Sequence, residues 1–247
     1  MTQTPDRPRA ARFWMIGLMG LLTLAFSALS IWQFQRLSWK LDLIARVEER
    51  VNAEPVAAPG PILWPDISTI GGAVDWEYKR VSLTGQYLGG PDTLTMAVTD
   101  LGPGFWVLAP FRTDDGFTVL VNRGFVAETK RAPDQRKAPP MTDIQITGLL
   151  RISEPAGGFL RSNDPAADRW FSRDVAAIAT ARQLDQTAPY FIDADRASEP
   201  GPAPLGGLTQ IHFRNSHLVY ALTWAALAVM SIAAAIYLIR RPRAEER

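Results

Sequence analysis

The chain contains no cysteine. That excludes a disulfide framework, thiolate metal sites, a cysteine nucleophile and covalent c-type haem attachment. It leaves the compartment open, because a domain of this size can fold without covalent staples. Histidine is almost as scarce: His212 and His217 are the only two in 247 residues, so a histidine-dependent metal or catalytic site would have to draw on that pair. Charge is missing from two long stretches, residues 13–32 and 218–239. Proline and glycine are missing from residues 21–53, so nothing there interrupts a helix. A strong overall charge is missing too, the formal net charge being +1. Residues 54–213 carry 14 Lys/Arg against 19 Asp/Glu, whereas the two ends carry 12 against 6. A mildly acidic middle excludes the basic footprint that nucleic acid requires. The basic excess at the ends lies beside the uncharged stretches, where anionic lipid and topology rules place it.

Sequence signatures of catalysis are also lacking. There is no phosphate-cradling glycine loop ending in Lys-Ser/Thr and no serine set between glycines in a nucleophile elbow. Gly102-Pro103-Gly104 reads as a turn, Asp114-Asp115 as turn acids and Glu48-Glu49 as a solvated helix face. Asp193-x-Asp195 is a candidate cation pair, and the simpler reading is a pair of loop acids. The sequence therefore predicts a protein that is not an enzyme.

What is present begins with the two uncharged runs. The first has 20 residues and the second 22; a helix of about 20 residues spans the roughly 30 Å hydrocarbon layer. Trp14 and Trp32 stand at the ends of the first run, where interfacial anchors belong. A cleaved signal peptide is the competing reading, with Arg7, Arg9 and Arg12 as its basic region and Ala25-Phe26-Ser27 as its cleavage site. Against it, Leu37, Leu41, Ile44, Val47 and Val51 recur at steps of three and four, so the helix continues amphipathically beyond the run. Basic residues tie across the first run, with Arg7, Arg9 and Arg12 before and Arg36, Lys40 and Arg46 after. Across the second they do not, Arg214 facing Arg240, Arg241, Arg243 and Arg247. The sum places both termini in the cytoplasm. The expected layout is a cytoplasmic tail (1–12), a transmembrane helix (13–32), an amphipathic extension (33–53), an extracytoplasmic domain (54–217), a second transmembrane helix (218–239) and a cytoplasmic tail (240–247), in a bacterial inner membrane.

Between the spans, residues 54–75 are rich in proline, alanine and glycine and read as an irregular connector. Strands are expected at 78–88, 93–98, 105–113, 117–126, 144–152, 190–193 and 208–213, a proline- and charge-rich loop at 128–142, and one short helix at 174–184 capped by Ser172 or Asp174. Asp114-Asp115-Gly116 marks the clearest hairpin, and Phe117, Val119 and Val121 share one face of its second strand. The fold class is a membrane protein whose two transmembrane α-helices flank a mainly antiparallel β (α+β) domain, a sandwich or small barrel.

One polar residue stands out. His217 opens the second membrane helix, where polar side chains raise functional suspicion. At 100° per residue, Tyr220, Ala221, Trp224, Ala228, Ser231 and Ala235 share its face. Imidazole is a common ligand of haem iron, and aromatics with alanines beyond them make a flat wall for a porphyrin. On residues alone the simpler reading is the stronger one: His217 is a boundary residue hydrogen-bonding a headgroup, and the small residues pack against Gly17, Gly20 and Ser27 of the first helix.

Four blocks then carry a resemblance. They are Trp32-Gln33-Phe34-Gln35-Arg36 with Trp39-Lys40; Gly104-Phe105-Trp106-Val107-Leu108-Ala109-Pro110-Phe111 with Val119-Leu120-Val121-Asn122-Arg123-Gly124-Phe125; Gly148-Leu149-Leu150-Arg151 with Glu154-Pro155, Asn163-Asp164, Trp170-Phe171 and Asp174; and Asn215-Ser216-His217-Leu218 with Tyr220-Ala221 and Thr223-Trp224. In order, spacing and placement they resemble the surfeit-locus family of cytochrome c oxidase assembly factors. Departures fall at Ser30, where the family usually has glycine, and at Phe125, Ala127 and Ala225. The resemblance implies a factor that binds haem a transiently and helps place it in cytochrome c oxidase subunit I, with haem a synthase a second candidate partner. It also implies that the family's haem-ligand histidine maps to His217, with Tyr220 and Trp224 beside it. Arg123 is open between a structural ion pair and a contact to a haem propionate or partner. His212 is expected to be structural. The alternatives to a haem carrier are a cofactor-free scaffold for assembly intermediates and a membrane-tethered periplasmic enzyme.

Overall fold

A computed structural model describes residues 7–155, 157, 158, 160–198, 200, 201, 203–209 and 215–240. In chain order its elements are α1 (Arg7–Asn52), β1 (Val56–Ala57), α2 (Trp64–Ile67), α3 (Ile70–Trp76), β2 (Arg80–Tyr87), β3 (Thr93–Thr99), β4 (Gly102–Thr113), β5 (Thr118–Ala127), β6 (Ile144–Ile152), α4 (Val175–Ala181), β7 (Thr187–Ala194) and α5 (His217–Arg240). They form two units: Met1–Arg46 with His212–Arg247, and Val47–Ile211.

Among the described residues, α1 and α5 of the first unit are the two helices long and apolar enough to cross a membrane. They pack antiparallel. Arg12 Nη2 donates to the Ile239 carbonyl at 2.9 Å, Phe26 stacks on Trp224, and Ser30 Oγ donates to the Ala221 carbonyl at 3.0 Å. As the α1 number rises, the α5 number falls by the same count to within one residue, the register of two helices side by side. Arg12 supplies a donor to a carbonyl in the last turn of α5, where such groups have no intrahelical partner. Ser30, Ala221, Ala228 and Ser231 are buried in the seam, while Phe13, Trp14, Leu24, Val229, Met230 and Tyr237 are exposed. An apolar exterior of this extent suits hydrocarbon and not water. The protein has two membrane-spanning helices with a folded domain between them in sequence.

The second unit is a sheet that closes on itself. Its strand order is β1-β2-β6-β7-β5-β4-β3, and β2 also pairs with β4. Strands β2, β6, β7, β5 and β4 thus make a five-membered ring, with β1 and β3 added outside it. Every ring pairing is antiparallel except the parallel β5–β7 pair. Side chains two apart point to the ring's interior: Val81, Leu83 and Tyr87 from β2; Ala109 and Phe111 from β4; Val119 and Val121 from β5; Ala188, Tyr190, Ile192 and Ala194 from β7. The expected face of Phe117, Val119 and Val121 is this interior. The opposite residues Leu108, Leu120 and Phe191 bury against Trp170 and the α4 residues Val175 and Ile178. Coverage on both faces explains why β5 is buried through Val126 and lacks the apolar/polar alternation of a half-exposed strand.

Closure depends on Gly85, which pairs with Ile144 of β6 and Thr113 of β4. A Cβ there would stand 2.1 Å from the Arg112 carbonyl oxygen, so only glycine lets the two strands meet.

Three expectations need correction. Residues 54–75 are not an irregular connector: they contain β1, α2 and α3 and a 3₁₀ turn at Pro61–Leu63. Thr69 caps α3 by accepting from the Gly72 N–H at 3.1 Å, Pro65 sits in the first turn of α2, and Ile67 is buried in the barrel core. Proline and glycine there act as helix punctuation and not as breakers. The short helix is also trimmed to Val175–Ala181, with Asp174 as the cap accepting from the Ala177 N–H. The expected strand at 208–213 has Leu208 and Thr209 outside any strand, and residues 210–214 lie outside the described set.

Candidate functional site

The site builds from the start of α5. Asn215 Oδ1 accepts the His217 N–H at 3.3 Å, a cap that satisfies one of the helix's first free donors. His217 thereby stands in the opening turn, half-buried, with its ring against α1. Its Nδ1 lies 2.8 Å from Gln33 Oε1, and Gln33 is buried. One turn along, Ser30 bonds to Ala221; one turn further, the rings of Phe26 and Trp224 stack with centroids 5.7 Å apart and planes 21° apart. The three contacts form a ladder down one seam.

The stripe expected from the helical wheel is divided by that seam. Ala221, Ala228 and Ser231 are buried there, so these small residues serve helix packing. Their partners are not Gly17 and Gly20, where an added Cβ would meet nothing within 4 Å. Tyr220 is 53% exposed beside His217, and Trp224 is half-buried with one face on Phe26. His217 and Trp224 thus meet α1 through Gln33 and Phe26, while Tyr220 stays exposed between them. His212 lies outside the described residues. Sequence reasoning missed Gln33 as the partner of His217; its signal was an uncharged amide at the end of a membrane run.

A second polar centre lies in the barrel unit. Asp193, 5% exposed, accepts from Asn122 Nδ2 at 2.7 Å, Arg151 Nη1 at 3.0 Å, Arg173 Nη1 at 3.3 Å and Thr209 Oγ1 at 3.0 Å. Arg151 also donates to Glu77 at 2.8 Å, and Arg173 to Glu154 at 3.1 Å. Burial lowers the affinity of the Arg151 guanidinium for its proton, but Asp193 and Glu77 outweigh it and hold the pKa above its ordinary value. Burial pushes the Glu154 carboxyl up, and Arg173, through hydrogen bonds and charge, more than offsets this and leaves it below its ordinary value. Asp195 pairs with Arg80 at 2.8 Å. Asp193-x-Asp195 is thus surrounded by donors, which is a poor setting for a cation. Among the described residues, no group of three His, Asp or Glu side chains is placed to hold a metal ion.

Arg123 is fully buried, donates to the Lys137 carbonyl at 3.0 Å and lies over the Tyr87 ring at 5.4 Å. So enclosed a guanidinium suits the structural reading of Arg123. One cleft, of about 760 Å³, is lined by residues 90–94, the 128–139 stretch and Asp168. Each of its carboxylates faces an arginine: Asp92 with Arg136, Glu128 with Arg131 and Asp168 with Arg182.

Comparison with known proteins gives one consistent result. Residues 20–229 match the SURF1 family. The chain is 34% identical over 216 residues to Surfeit locus protein 1 of Mus musculus, covering 81% of this chain and 67% of the mouse protein. To the Homo sapiens protein of the same name it is 33% identical, covering 84% and 72%. To a SURF1-like protein of Monosiga brevicollis it is 34% identical, covering 86% and 83%.

Proposed function

The chain belongs to the SURF1 family, and on that premise we propose that it is a membrane-bound assembly factor of cytochrome c oxidase. Its cargo is haem a, held at His217 and released to oxidase subunit I, with haem a synthase the natural supplier. The observation that supports this reading is the state of the imidazole. Its Nδ1 is engaged by Gln33, which leaves Nε2, the far corner of the ring, as the nitrogen to offer iron. The surroundings fit such a cargo. Tyr220 presents an exposed ring beside the histidine, Trp224 follows one turn on, and residues 218–239 contain no charge to oppose an apolar macrocycle. A single histidine ligand also suits a carrier, which must release what it holds.

One feature favours a second reading. Ala221, Ala228 and Ser231 are already taken up by the helix seam, which suits a cofactor-free scaffold as well as a haem wall. The two readings part in one experiment. Protein purified after coexpression with haem a synthase is expected to show a haem a absorption band, and His217→Ala to keep the fold but lose most of the band. Trp224→Ala is expected to lose less, because contact area goes and not the metal bond. Full haem in His217→Ala places the ligand elsewhere, with His212 the next histidine to test. Wild-type protein without any haem leaves the scaffold reading.

A further inference from the structure

We propose that Gln33 is a positioning residue for His217: its amide oxygen selects the imidazole tautomer that carries the proton on Nδ1 and so presents the Nε2 lone pair. The inference rests on the haem reading for its purpose and on the helix pair for its geometry. A buried amide at the edge of the hydrocarbon costs free energy unless it is hydrogen-bonded. Here the Gln33 oxygen lies 2.8 Å from Nδ1, across a separation of 184 residues. An amide oxygen only accepts, so Nδ1–H donates to it, and in the neutral imidazole this places the lone pair on Nε2. Ligating histidines usually show this arrangement, the second nitrogen donating to an oxygen that fixes ring orientation and raises ligand basicity.

The contact is held from below. Ser30 is three residues before Gln33, and Ala221 four after His217, so the Ser30–Ala221 bond lies one helical turn beneath. The Phe26–Trp224 stack lies one turn beneath that. The seam sets which α1 side chain meets the imidazole, and the meeting residue is an amide with an oxygen to offer. A packing role would need only volume, which leucine supplies.

The test separates Gln33 from the haem reading. In the full-length protein without cargo, the ring ¹⁵N signals of labelled histidine, assigned with His217→Ala, are expected to show Nδ1 protonated. In Gln33→Leu the balance should move toward Nε2 protonation, and Gln33→Glu should restore the wild-type tautomer. With haem a, Gln33→Leu should bind about ten-fold more weakly, at the lower end of what such partners contribute to metal binding. Gln33→Glu should regain affinity and lower the iron midpoint potential, since a carboxylate makes the imidazole a stronger donor. Unchanged tautomer, affinity and potential in Gln33→Leu would overturn the proposal even if His217→Ala loses haem. If the wild type binds no haem, the carrier reading fails, and the tautomer measurement alone decides whether Gln33 sets the ring.

Discussion

Gly116 adopts φ +85° where β4 turns into β5; its N–H donates to the Thr113 carbonyl at 3.0 Å, and Thr113 N–H donates to Phe117 at 2.9 Å. An added Cβ would meet nothing within 4 Å, so the demand for glycine is purely conformational. Gly116→Val should lower stability by about 1–2 kcal/mol, read as a fall in the thermal midpoint with haem content unchanged. Glu154 sets an acid limit of its own. Its folded pKa lies below the ordinary value, so its contribution is complete above the unfolded pKa, about 4.3, and is lost as pH falls through the lower folded value. Glu154→Gln should be less stable at neutral pH and should lose less on acidification, measured as the melting temperature across that range. The same residues show what a sequence reveals. Gly116 was legible because turn chemistry is local, and His217 because a polar residue at the mouth of a membrane run is conspicuous. Gln33 was not, because its meaning comes from a helix more than 180 residues away. Nor was the Asp193 centre, whose donors come from β5, β6, the stretch before α4 and Thr209.

Among elements, strands were legible where the pattern was strong. Residues 144–152 coincide with β6, and the expected hairpin differs from β4 and β5 by three residues or fewer at any end. Strand β2 starts at Arg80 and not at residue 78, because Tyr78 has φ +64°, outside the extended region. The helices α2 and α3 escaped notice because each is too short to show a period. Their value lies in tertiary burial: Ile67 is 2% exposed, and the Trp64 ring meets Phe117 edge-on at 5.7 Å. Ile67→Ala should therefore cost about 2–5 kcal/mol, measured by denaturant unfolding of the detergent-solubilised chain with β-sheet circular dichroism as the signal.

At the scale of the molecule, antiparallel packing of α1 and α5 places residues 12 and 239 at one end of the pair. From the basic residues beyond the second run we expect that end to be the cytoplasmic one. A reporter active only in the periplasm should work when fused after Gly157 and fail after Arg247. Equal activity at both sites would overturn the two-span arrangement.

Ring closure has a consequence for the order in which the chain matures. The β4–β5 hairpin joins neighbours, but β2 must wait for β6 and β5 must wait for β7, with Arg80 meeting Leu149 and Asn122 meeting Asp193. Pairings so distant in sequence close slowly, because loop entropy is spent before contact is gained. Synthesis from the N-terminus leaves the ring open until residue 194 has been made, whereas α5 begins at 217. The span α5 is thus produced only after every strand of the ring exists. Gln33 is made 184 residues before His217, so their contact waits for α5, and a chain cut short before α5 never presents the pair.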